Sequence, residues 1–135
     1  MSERRTSRAP DVGAQEVRIR RPRLAERIAR SLDAGAVVLV AGAGFGKTTA
    51  LDEALRLRDG RAAWISCTEA ERDAGRLLGS IIAAVRRAAP GAADVLADRL
   101  AVAIEPVDVL AAAGELAAEL GRLLVQPLVL VLDDA

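Results

Sequence analysis

The stretch that most constrains this chain is a short apolar, β-branched run that passes without a break into glycines, a lysine and two threonines. Ala36-Val37-Val38-Leu39-Val40-Ala41 precedes Gly42-Ala43-Gly44-Phe45-Gly46-Lys47-Thr48-Thr49. The run has the length and composition of a strand buried on both faces of a parallel sheet. From Lys47 the apolar residues recur as on a helix, with Leu51 and Leu55 on one face and a turn signal at Asp59-Gly60. A glycine-rich turn between a buried strand and a helix lets backbone N–H groups point inward around phosphate oxygens at the helix N-terminus. In that setting Lys47 is expected to reach the β and γ phosphates and the Thr48 hydroxyl to ligate Mg²⁺. Ala41 stands where the usual pattern has its first glycine, which strand-like dihedrals tolerate. Lys47 is the only lysine beside eighteen arginines, and a compact ammonium fits among phosphate oxygens better than a planar guanidinium does. Thr49 packs or caps, or joins the phosphate site.

The rest of the chain reads as alternating elements. Pro22 suits a first helical turn, Leu24, Ile28 and Leu32 share one face, and Gly35 stops that helix. Ala62 to Cys67 reads as a second strand, Asp73 to Ala89 as a helix ended by Pro90-Gly91, and 92–103 and 107–124 as two more helices split by Glu105-Pro106. Pro127 to Asp134 is an apolar strand ending in two carboxylates. The order predicts an α/β fold with a parallel sheet. Residues 1–16 are expected to be a loose arm, solvated or phosphate-grasping, and 17–135 one nucleotide-binding unit.

Composition removes several function classes. Histidine and tyrosine are absent and there is one cysteine, Cys67, so neither a Ser-His-Asp triad nor a zinc cluster can be assembled from this chain. Phe45 and Trp64 are the only aromatics, too few for a base-stacking surface. Trp64 is expected in the core and Cys67 as a packed thiol. Nineteen basic residues balance nineteen acidic ones, so no net field draws the molecule to nucleic acid or membrane. No apolar run approaches membrane-spanning length, and a cytoplasmic location is expected.

Carboxylates at the C-terminal edge of a parallel sheet face the crevice where such sheets bind ligands. Asp133 is therefore the candidate for holding Mg²⁺ through water, and Asp134 for orienting or deprotonating an attacking water. An apolar strand ending in two aspartates is common by itself. Paired with a phosphate loop whose lysine lies 86 positions upstream, it forms the two halves of a nucleoside triphosphatase signature, Walker A and Walker B.

Together, Arg21-Pro22-Arg23-Leu24, the Val-Leu-Val-Ala-Gly-Ala-Gly-Phe-Gly-Lys-Thr-Thr segment, Ala63-Trp64-Ile65-Ser66 and Leu-Val-Leu-Asp-Asp resemble the ATPase domain of MalT-type regulators. These are LuxR-family transcription activators of the STAND class of AAA-type ATPases. The resemblance implies a three-layer P-loop NTPase fold, ATP or ADP with Mg²⁺ as cofactor, self-association in a full-length form, and DNA contact only through a C-terminal region not present here. It implies phosphate and Mg²⁺ binding by Gly42 to Thr49 with Asp133 and Asp134, and an adenine contact from Arg23, which otherwise belongs to a solvated basic run. Cys67-Thr68 departs from the Leu-Asp usual after the Trp strand. The resemblance further places a later strand, beyond residue 135, between the two motif strands. The 36–41 run is then expected to lack partners and the isolated chain to bind weakly and hydrolyse negligibly. Two other classes fit the residues less well: a small P-loop phosphotransferase, for which Arg86-Arg87 is the only hint of a lid, and a non-catalytic remnant or partner-completed module. DNA-processing AAA proteins are a further option.

Overall fold

The computed structural model describes residues 19–134; the expected arm, Val17, Arg18 and Ala135 lie outside them. Five helices and two strands follow in the order α1 (Pro22–Leu32), α2 (Lys47–Arg56), β1 (Arg61–Ser66), α3 (Ala74–Ala88), α4 (Asp94–Ala101), α5 (Val109–Leu123) and β2 (Leu128–Asp133). β1 and β2 pair in parallel, in a register running from Arg61 opposite Leu128 to Ser66 opposite Asp133. The fold is mixed α/β with a two-stranded parallel sheet. Such a pair needs a long crossover, and α3, α4 and α5 supply it. Among the described residues no helix is long and apolar enough to cross a membrane.

The main core lies where α3 and α5 cover one face of the pair. Ala63 and Ile65 of β1 meet Leu78, Ile82 and Val85 of α3 and Ala112 and Leu116 of α5, the inward positions of a period-two strand and two 3.6-period helices. Trp64 points to the alternate side and is half-buried, outside that cluster, and Cys67 packs against it partly buried. Side-chain caps begin both helices: Asp73 accepts the Arg76 N–H and Asp108 the Ala111 N–H, at 2.9 and 3.0 Å. At the start of the strand pair Gly60 lies so close to Pro127 that a Cβ there would sit 2.8 Å from its carbonyl oxygen.

The run 36–41 is not the expected buried strand, though it does lack partners, as expected. It forms no strand: among the described residues the backbone groups of 36–40 take no backbone partner. Val37 and Leu39 pack on a second, smaller cluster of Ala25, Ile28, Ala50 and Ala54 between α1 and α2, while Val38 and Val40 are 84 % and 90 % exposed. The alternation is that of a strand, but a ladder needs a neighbour, and β2 stands across a cavity of about 510 Å³ instead of beside it.

One element between β1 and α3 was not expected. Glu69–Arg72 forms a 3₁₀ turn closed by a capping box, in which Glu71 accepts the Thr68 hydroxyl and N–H at 2.6 and 2.8 Å. A third bond, from the Ser80 hydroxyl at 3.0 Å, ties the turn to α3. The Thr68 hydroxyl first, then its N–H and the Ser80 hydroxyl, hold the Glu71 carboxyl below the usual glutamate range. A depressed carboxylate stabilises the fold above its unfolded pKa, about 4.3, and that contribution is lost as pH falls through the lower folded value. NMR titration should place the Glu71 midpoint below that of free glutamate, and Thr68→Ala should return it upward; an unchanged midpoint in that variant would show that the box does not form.

Candidate phosphate-binding site

The site begins with the end of α2. Gly46 sits at the N-cap with φ 74° and offers no side-chain cap, and the first turn of α2 carries no acidic residue. The helix dipole and the free N–H groups of that turn are left facing outward, the arrangement that attracts an anion. Gly44, at φ 80°, supplies the other left-handed step that turns the loop back on itself, a conformation costly for any residue with a Cβ. The Phe45 ring lies over Gly42, whose missing Cβ would come within 3.1 Å of Phe45 Cε2.

Lys47 folds over this loop. Its Nζ donates to the carbonyls of Ala41 at 2.7 Å and Gly42 at 3.2 Å, which turns the ammonium back onto the loop. Thr48, next along, donates from Oγ1 to Asp133 Oδ2 at 3.1 Å across 85 positions of sequence. Asp133 is fixed on two further sides: its Oδ1 accepts the Asp134 N–H at 3.1 Å, and its carbonyl accepts the Cys67 N–H at 2.7 Å as the last rung of the ladder. Asp134 follows at φ 61°, a left-handed conformation that aspartate tolerates better than most residues. Residues 38–41, Lys47, Thr48 and 129–134 line one cavity.

The structure thus brings together Lys47, Thr48, Asp133 and Asp134, with Gly42, Ala43, Gly44, Phe45 and Gly46 forming the loop above them. Thr49 is half-buried and does not line the cavity. Arg23 is exposed on the first turn of α1 and is also absent from the lining. Glu53 carries a role that sequence reasoning missed. From the second turn of α2 it accepts Arg20 Nε at 2.7 Å and the Arg21 N–H at 3.1 Å, fastening the start of α1 to the loop helix. The Arg20 guanidinium, followed by the Arg21 N–H, holds its carboxyl below the usual range. Its partners lie more than thirty positions away, and no local pattern announces them.

No protein-family model, no curated protein and no solved structure matches this chain. The residues and their geometry are the guide to its chemistry.

Proposed function

We propose that the chain binds a nucleoside triphosphate, ATP or its product ADP, with Mg²⁺, as the nucleotide-binding part of a regulatory switch of the MalT-like LuxR type. The observation that carries this reading is the Thr48–Asp133 hydrogen bond, at 3.1 Å: it joins the two halves of the motif, 85 positions apart, beside an uncapped helix N-terminus and a lysine turned back onto the loop. Phosphate oxygens would take the loop N–H groups and Lys47 Nζ, which would give up the Ala41 and Gly42 carbonyls for the stronger charge-assisted bonds. Arg23 would approach the nucleoside from α1.

One hydroxyl and one carboxylate suit Mg²⁺, a hard cation that keeps several waters and leans on substrate phosphates. Among the described residues no group of three or more His, Cys, Asp or Glu side chains is placed to hold a metal ion, and the cation would arrive with the nucleotide. When bound it would neutralise charge developing on the phosphates. Asp133 would help to hold the cation, and the exposed Asp134 would orient the attacking water. In a full-length, cytoplasmic form the hydrolysis cycle would control self-association, with DNA contacted through a separate region. The unpaired 36–41 run and the cavity beside it favour, as a second reading, a module completed by a partner and inactive without one.

The test is ATP titration calorimetry with and without Mg²⁺. Binding should be stronger with the cation, and Thr48→Val, which keeps the shape and removes the hydroxyl, should abolish the difference. Absence of ATP binding at millimolar concentration would move the weight to the second reading; a Mg²⁺ effect intact in Thr48→Val would remove Thr48 from the site.

A further inference from the structure

The balance of nineteen basic and nineteen acidic residues conceals a division along the chain. The first thirty residues hold nine arginines against four acidic groups, a net of +5, and the other 105 hold ten basic against fifteen acidic, a net of −5. Segregation of charge in this way marks a segment that meets a polyanion. α1 is its described helix. Ala25, Ile28 and Leu32 of α1 are spent on the packing against α2. Arg23, Arg27 and Arg30 stand at i, i+4 and i+7 on another face, and all three are exposed.

What sets this face apart is that three arginines without a carboxylate partner among the described residues stand together on it. Beyond residue 30, five of the nine arginines hold a carboxylate: Arg56, Arg58, Arg72, Arg86 and Arg99. Among the described residues Arg23, Arg27 and Arg30 hold none, although Glu26 lies within helical reach of two of them. A planar guanidinium with free donors matches phosphodiester oxygens in a two-bond fork. Arg23 to Arg30 covers about 10 Å of helix, the axial length of about three phosphates on one strand of a duplex.

We propose that the arginine face of α1, formed by Arg23, Arg27 and Arg30, docks on the phosphate backbone of double-stranded nucleic acid without reading its sequence. A duplex is favoured over a single strand because neither Phe45 nor Trp64 lies on α1 to stack bases. A membrane surface is disfavoured because the apolar side of α1 faces α2 and is not available for insertion. Arg23 is shared with the nucleotide reading but Arg27 and Arg30 are not, so failure of that reading leaves this one standing.

Fluorescence anisotropy of a mixed-sequence DNA duplex of about 20 base pairs, titrated with the 135-residue chain between about 50 and 200 mM salt, tests it. The expected result is binding whose logarithm falls linearly with the logarithm of salt, equally for unrelated sequences. The double variant Arg27→Gln/Arg30→Gln should lower that slope by about 2, near one unit for each phosphate no longer neutralised, while unfolding midpoint and nucleotide affinity stay as in the parent chain. Arg76→Gln/Arg122→Gln, on α3 and α5, removes the same charge and should leave the slope unchanged. Equal reductions in the two double variants would overturn the proposal, since net charge and not the α1 face would then be responsible. So would absence of binding at low salt, capture by phosphatidylserine vesicles but not by DNA, or salt-sensitive self-association that consumes the arginines without DNA.

Discussion

Lys47→Ala is expected to weaken Mg-ATP binding by roughly tenfold to 150-fold. The magnitude follows from hydrogen bonds to charged groups being worth about 1.5 to 3 kcal/mol, with each 1.4 kcal/mol a factor of ten. The structure sharpens the expectation in two ways. Lys47 Nζ is already turned back onto the loop, bonded to the carbonyls of Ala41 and Gly42, so little side-chain ordering remains to be done when phosphate arrives. Those carbonyls are exposed and can turn to water when the lysine is absent, so the fold itself should lose little. Lys47→Arg should rescue poorly, because a planar fork replaces a point charge in a turn shaped for the smaller group. Calorimetric titration beside a thermal melt separates the two effects. An unchanged affinity with an unchanged melt would show that the loop does not hold the phosphates.

Much of the fold is legible because the elements announce their own ends. Pro22 at the start of α1, Asp73 and Asp108 as caps, and Pro90-Gly91 after α3 are local signals, and the helices fall within a few residues of where the periodicity puts them. β1 and β2 are readable as apolar runs bounded by turn residues. The run 36–41 looks the same in composition yet forms no strand. Burial and pairing are properties of its neighbours: with no strand beside it, Val37 and Leu39 find the α1 and α2 cluster and Val38 and Val40 find solvent. The capping box at Thr68 and Glu71 is present in the sequence as Thr-x-x-Glu, but it closes a single short turn and leaves no periodic apolar pattern to mark it.

The candidate site is legible to a different degree at each residue. Motif pairing alone puts Thr48 and Asp133 together, and a single hydrogen bond joins them. Glu53 and Arg58 are not legible. Glu53 fastens α1 to α2 through Arg20 and the Arg21 N–H, and Arg58 does so through the Ala29 carbonyl and Asp33. Both are ordinary charged residues on a helix or just after it, and their importance arises only when two helices cross. The site's support therefore lies in long-range charge contacts that residue type alone does not reveal.

Ile82→Ala is expected to cost about 2 to 5 kcal/mol of folding stability. Ile82 is 5 % exposed and lies in the cluster where α3 meets β1 and α5, so three elements line the space that the lost atoms leave. With aromatics limited to Phe45 and Trp64, and neither in that cluster, the core is built from alanine and aliphatic side chains. Its alanines, Ala63, Ala84, Ala89 and Ala112 among them, cannot extend into a void, and relaxation should be small. Domains have stabilities of only about 5 to 15 kcal/mol, so the variant forfeits a third or more of the total at midrange. Urea unfolding reads this directly: the midpoint should fall in proportion while the slope m stays constant. A loss below about 1 kcal/mol would mean that α3 does not seat on the strand pair as described. Because Asp133 is the last rung of that pair and Thr48 reaches it from α2, the same seating sets the distance between hydroxyl and carboxylate. Near the unfolding midpoint Ile82→Ala should therefore lose the Mg²⁺ dependence of ATP binding in step with the fold, whereas Thr48→Val loses it with the fold intact.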